Sequence, residues 1–166
     1  MTAPDIQILP LSRTDLPRVS AIARVVWPVA FDGLIPADEI PKIVDRIYSL
    51  AQLGQDMDDG HAFWIAKVGG KDAAFCASYK EGGTIWLKKL YVLPEAQGHG
   101  LGTKLTDTAI AHFSPAREMA LFVKNDNAKA IGFYQRAGFS IAREAPVVMG
   151  HMHFTDYVMT RPLRDD

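Results

Sequence analysis

Three glycines at alternate positions, Gly98, Gly100 and Gly102, follow an aliphatic run closed by Pro94 and lead straight into Leu101 and Leu105 at helical spacing. Such a strand-to-helix turn has a specific chemical use. Glycine there removes the Cβ atoms that would hold a ligand away, so successive backbone N–H groups can converge on an anion. The helix that follows adds partial positive charge at its N-terminus, and the two together make a phosphate site. Spacing narrows the choice of phosphate ligand. A Walker A loop needs Lys followed by Ser or Thr, whereas Lys104 follows Thr103 and precedes Leu105. A dinucleotide fingerprint needs an acidic residue at the end of the next strand, and Glu118 falls before that strand. Neither pattern fits.

The turn and a second segment together resemble the GCN5-related N-acetyltransferases. That family's pattern is an aliphatic-rich strand, a proline, then Gln or Arg followed by Gly-x-Gly-x-Gly or Ala. It is matched by Leu90, Val92, Pro94, Gln97, Gly98, Gly100 and Gly102. The family's second segment, a strand followed by Asn-x-x-Ala, Phe-Tyr and Gly-Phe, is matched by Val123, Asn127, Ala130, Phe133, Tyr134, Gly138 and Phe139. Two segments in the right order are far more specific than either alone. The resemblance implies acetyl-CoA as cosubstrate, with no metal. It further implies that Leu90, Tyr91 and Val92 hold the pantetheine arm through their main chain. The pyrophosphate would fall to Gly98, His99, Gly100, Leu101, Gly102 and Thr103, with Gln97 also on the cofactor, and Asn127 and Tyr134 would lie near the thiol.

Acyl transfer to an amine needs a neutral nucleophile, stabilisation of the tetrahedral oxyanion and protonation of the departing thiolate. Tyr134 is the candidate acid, because a phenol with a pKa of about 10 stays protonated at neutral pH and can donate to sulfur. Its helical spacing also suits a core aromatic. Asn127 at a helix start is equally an N-cap, and both roles are compatible. Gln97 and His99 are expected on the exposed turn, and Cys76 as a small core residue. Relatives often place Glu on the strand before the turn, where this chain has Lys88 and Lys89. A lysine serves as base only if its pKa is strongly lowered. Glu95, Asp32, Glu39, His151, His153, Asp156 or a water relay stay open as the base.

The elements that must position these groups can be read from periodicity. A first strand around Ile6, Ile8 and Leu9 precedes a helix capped by Thr14, carrying Leu16, Val19, Ile22 and Val26, and ended by Pro28. A second helix starts near Asp38, its stripe running through Ile40, Ile43, Val44, Ile47 and Leu50 before Gly54. Residues 55–60 read as an acidic turn. Strands are expected over 63–68, 73–79 and 84–93, then a helix from about Gly98, a strand over 119–123, a helix over 127–137 closed by Gly138, and strands over 139–143 and 152–160. Within 84–93 the aliphatic parity slips by one: Ile85 and Leu87 share one parity, Leu90 and Val92 the other. A β-bulge at Lys88-Lys89 produces such a slip and frees backbone groups.

The predicted class is α/β, a mixed and splayed sheet of about seven strands with helices on both faces, in the acyl-CoA N-acyltransferase fold that the resemblance implies. At 166 residues the chain is expected to be one domain, 1–166. A formal charge of -1 argues against a nucleic-acid partner. One cysteine excludes an internal disulfide framework. The longest stretch free of Asp, Glu, Lys and Arg is eleven residues, 145–155, too short to span a bilayer. The N-terminus lacks a basic region and a long apolar run, so the protein is expected to be soluble and cytoplasmic.

The expected activity is acetyl transfer to a primary amine of a small molecule, by a monomer or a homodimer. Asp32, Asp38, Glu39, Asp45, Asp56, Asp58 and Asp59 outnumber Lys42 and Arg46 in their region, which would attract a cationic amine. The stretches Met149-Gly150 and Thr155-Asp156-Tyr157-Val158-Met159 are similar to bacterial polyamine N-acetyltransferases, so a polyamine acceptor is one expectation. The missing strand glutamate keeps a non-catalytic acyl-CoA sensor in view, and acetylation of protein N-termini is a further alternative.

Overall fold

The computed structural model describes residues 4–163. Its strands are β1 (Ile6–Pro10), β2 (Ala62–Val68), β3 (Lys71–Glu81), β4 (Thr84–Val92), β5 (Glu118–Lys124), β6 (Ser140–Met149) and β7 (Met152–Pro162), in one sheet of order β1-β2-β3-β4-β5-β7-β6. Helices α1 (Leu16–Ala30), α2 (Ile40–Ile47) and α3 (Leu50–Asp58) precede β2, α4 (Leu101–Phe113) links β4 to β5, and α5 (Ala128–Arg136) links β5 to β6. The expected mixed sheet of seven strands is present, with β4 and β5 its parallel pair.

Both faces are covered because the central strands carry apolar residues at both parities. On β2, Trp64 and Ala66 join one core with Leu101, Leu105 and Ala109 of α4. Phe63 and Ile65 join the other, with Leu16, Val19, Ile22 and Val26 of α1. Likewise Ala74 and Cys76 of β3 face α4, while Phe75 and Ala77 face α1. No helix of the described residues is long and apolar enough to cross a membrane.

Four local expectations are corrected. The first helical turn opens at Ser12 rather than Thr14: Ser12 N donates to Asp15 Oδ2 at 3.0 Å, and Thr14 lies inside a short 3-10 turn. Pro28 does not end α1, which runs on to Ala30 with Phe31 N donating to Trp27 O at 3.0 Å. The carbonyl that Pro28 cannot serve belongs to Arg24, an exposed residue. The single helix expected after Asp38 is two, because Ser49 turns extended (ψ 150) and its Oγ accepts from Gln52 N at 3.1 Å, capping α3. Leu50 accordingly leaves the stripe and is 55% exposed. The acidic turn expected over 55–60 is mostly the last turns of α3, which ends at Asp58.

The parity slip in β4 is a bulge. Ala77 pairs with Lys89 and Ser78 with Leu87, so Lys88 has no partner in the ladder. Ile85 and Leu87 before it, and Leu90 and Val92 after it, thereby reach the same α4-side core.

Candidate active site

The β4–β5 pairing covers only Thr84, Ile85 and Trp86 against Glu118, Met119 and Ala120. Beyond it the strands part, and Trp86 stacks on Phe122 at 5.2 Å where the opening begins. Two cavities occupy the parted region. One, of about 440 Å³, is lined by Leu90, Tyr91, Val92, the turn residues Gln97, Gly98, Gly100, Leu101 and Gly102, and α5. The other, of about 410 Å³, lies between the β4 residues 86–91 and the β5 residues Phe122, Val123 and Lys124. Leu90, Tyr91, Asn127, Ala130 and Tyr134 line both.

The turn suits a diphosphate. Gly98 and Gly100 have φ of 93° and 72°, which L side chains rarely adopt, and a Cβ at either would meet nothing within 4 Å. Their need for glycine is thus conformational: both stand in left-handed backbone just before α4, whose N-cap is Gly100. Gly102 differs. A Cβ there would lie 2.8 Å from Phe133 Cζ, so this glycine lets α4 pack against α5.

The remaining expected residues fall as follows. Leu90, Tyr91, Val92, Gln97 and Leu101 line the larger cavity, Leu101 as a core residue 2% exposed. His99 and Thr103 do not line it; His99 is exposed on the turn. Asn127 caps α5, its Oδ1 accepting from Ala130 N at 3.2 Å. Tyr134 packs edge-on against Phe133 and Phe139, with ring centroids 5.3 and 5.6 Å away. Burial pushes its phenol above the ordinary tyrosine value, so it holds its proton at neutral pH. Cys76 is fully buried, its thiol also pushed up by burial.

Of the open choices for the base, only Asp156 lines the cavity between β4 and β5. It faces Lys124 across the β5–β7 ladder, and burial raises its carboxyl against the pull of that lysine. Neither cavity is lined by any of Asp32, Asp38, Glu39, Asp45, Asp56, Asp58 and Asp59. Several are paired with cations: Asp45 with Arg24 at 2.7 Å, Asp58 with Arg13, and Asp56 with Lys89, itself a cavity-wall residue, at 3.5 Å.

Sequence reasoning missed Lys129 and Arg136, which line the larger cavity from α5. Lys129 Nζ donates to Gln97 Oε1 at 3.1 Å and so ties α5 to the turn. Their signal was the seven-residue spacing that puts both on one face of α5.

Comparison with known proteins agrees with this geometry. Residues 59–141, half of the chain, match the acetyltransferase (GNAT) domain family. A probable N-acetyltransferase of Mycobacterium tuberculosis is 29% identical over 150 residues, covering 85% of this chain and 83% of that protein. The PaiA N-acetyltransferase of Thermoplasma acidophilum, solved in complex with coenzyme A, superposes with a TM-score of 0.81 at 22% identity over 96% of this chain and 99% of that one. The ribosomal-protein-S18-alanine N-acetyltransferase of Escherichia coli superposes with a TM-score of 0.74 at 21% identity, covering 98% and 96%. The chain belongs to the GNAT acetyltransferase family. It is an acyltransferase of the acetyl-CoA-dependent class.

Proposed function

We propose that the protein moves the acetyl group of acetyl-CoA to a primary amine of a small molecule, directly and within a ternary complex. The observation that carries this reading is the meeting of the two cavities at Leu90, Tyr91, Asn127, Ala130 and Tyr134. A cofactor laid along the larger cavity, with its diphosphate on Gly98 and Gly100, would present its thioester at that junction, and an amine would reach it from the other side. Beyond Trp86, β4 has no ladder partner on its β5 side among the described residues, which leaves main-chain groups there for the pantetheine arm.

Asp156 takes one proton from the incoming ammonium, which leaves a neutral amine. The nitrogen–carbon bond then forms as the carbon–sulfur bond breaks, Tyr134 donates a proton to the sulfur, and the surplus proton on the new amide nitrogen restores the phenol. Direct transfer is favoured because Cys76, the chain's one cysteine, is fully buried with its pKa pushed up and offers no thiolate to carry the acyl group. An acceptor screen tests the reading: thiol release from acetyl-CoA is followed across polyamines, amino acids, aminoglycosides and peptides. Amine-dependent release of one thiol per acetylated product supports it. Tight acetyl-CoA binding with no release for any amine would leave a sensor.

A further inference from the structure

The wall of the amine-side cavity carries three cations, Lys88, Lys89 and Lys124, and one carboxylate, Asp156. Asp156 is needed for the amine itself. Lys89 is buried, with Asp56 Oδ2 3.5 Å from its Nζ and the ring of Tyr48 below it. Lys124 is held by both oxygens of Asp126, at 2.8 and 2.9 Å, and lies over the ring of Phe154. Lys88 is different: it is the bulge residue of β4, it is exposed, and it has no acidic partner among the described residues. The bulge therefore places an ammonium with no acidic partner among the described residues at a cavity whose wall also carries Trp27, Phe31, Trp86, Phe122 and Phe154.

From this we infer that the acceptor is an amine that also bears an anionic group, a carboxylate in the first instance, joined to it through an apolar or aromatic body. The inference rests on the acetyl-transfer reading above and names its substrate class. Lys88 takes the anion, and the aromatic wall takes the body. The amine end lies toward the junction at Leu90 and Tyr134, beside Asp156. Lys88 stands at the bulge, two residues before Leu90, so the anion and the amine are held at separate positions along β4. Such a separation suits an anion across a ring from the amine better than one on the adjacent carbon. A polycation meets the opposite situation: the one unpaired charge on the wall, Lys88, repels it, and the one carboxylate of the wall, Asp156, stands opposite Lys124.

The test uses matched pairs that differ only in the carboxylate: 4-(aminomethyl)benzoate against benzylamine, and phenylalanine against phenethylamine, with spermidine as the polycation. For each, kcat/KM is measured at saturating acetyl-CoA, and amine affinity is measured by calorimetry on the CoA-loaded protein. The carboxylated member should be preferred about tenfold in the first pair and less in the second. K88E should abolish or invert that preference, and K88Q should reduce it. Equal or better use of benzylamine, preference for spermidine, or a ratio unmoved by K88E would overturn the inference, as would failure of both benzyl compounds to bind. Acetyl-CoA affinity, measured in parallel, separates the two readings: if it is intact while the carboxylate preference is absent, only the substrate class is wrong.

Discussion

Lys89 and Asp56 form an ion pair inside the protein, Nζ to Oδ2 3.5 Å apart, with the two residues 5% and 7% exposed. It joins β4, just past its bulge, to α3, and so fixes the amine-side wall to the helices that cover it. Burial pulls the lysine's pKa below its ordinary value, and Asp56 works against that pull. Lys89 is thus held as a cation by its partner.

Removing that partner should be expensive. Asp56→Asn leaves a buried ammonium with only the ring of Tyr48 for company, and we expect a loss of about 3 kcal/mol at neutral pH. The sign with pH follows from the lowered lysine pKa. In the variant Lys89 sheds its proton earlier as pH rises, so the deficit against wild type shrinks as pH climbs toward the ordinary lysine value. Urea unfolding at a series of pH values checks this, and a deficit that stays constant with pH would refute the charge account.

The glycine turn yields two different failures. Gly100→Val forces a β-branched residue into φ 72°, at a backbone cost of about 1–2 kcal/mol, and closes the approach to the amides. The protein should stay folded and lose acetyl-CoA affinity at least a hundredfold by calorimetry. Gly102→Ala instead drives a methyl toward Phe133, 2.8 Å from its Cζ. Stability should drop by about 1–3 kcal/mol, with cofactor affinity reduced only as far as α5 shifts. Unchanged acetyl-CoA affinity in folded Gly100→Val, or a larger affinity loss in Gly102→Ala than in Gly100→Val, would contradict this division.

Much of this site was legible from residue order, and what was not has identifiable causes. The bulge at Lys88 showed as a change of parity between Leu87 and Leu90, because both sides of the slip feed one core. The split of the second helix was present as Ser49 followed three residues later by Gln52, a capping signal outweighed by an apolar run that continued through Leu50. Lys129 and Arg136 could be placed on one face of α5, but whether that face meets the glycine turn depends on how α4 and α5 pack, which Gly102 and Phe133 decide. Asp156 could not be separated from Glu95, Glu39 or the two histidines, since its place opposite Lys124 comes from the register of β5 with β7. The acidic count over residues 32–59 misled for a related reason: composition does not say which carboxylates are already paired.

Lys129 gives a third expectation. It lines the cavity beside the glycine turn, where we place the cofactor, and is tied to Gln97, so Lys129→Gln should weaken acetyl-CoA binding about fivefold at low salt, a modest figure because the side chain is exposed. Raising salt to about 0.5 M should shrink the difference between variant and wild type, since a phosphate contact of this kind is screened. A loss that does not respond to salt would indicate displacement of the turn rather than loss of charge.

Tyr134→Phe removes the proposed proton donor while keeping the ring that packs on Phe133 and Phe139. Turnover should fall about a hundredfold with acetyl-CoA affinity retained. Because burial raises the phenol above its ordinary value, the wild-type rate should show no alkaline fall from this group in the range where tyrosines ordinarily titrate. Parallel losses of turnover and of affinity would instead assign Tyr134 to binding alone.

The sharpest pH signature belongs to Asp156. Burial lifts its carboxyl above the ordinary range, and Lys124 beside it pulls the other way. A base works only when deprotonated, so kcat/KM should fall as pH drops through a value above that of a free aspartate. Asp156→Asn should lose about a hundredfold at neutral pH and flatten that acidic limb. Lys124→Met should keep the limb and move it upward, because the cation that favours the carboxylate is gone. Purely structural roles for the pair would lower activity in both variants without moving the limb, whereas a limb that follows Lys124 and vanishes with Asp156 ties the titration to this carboxylate and the base to β7.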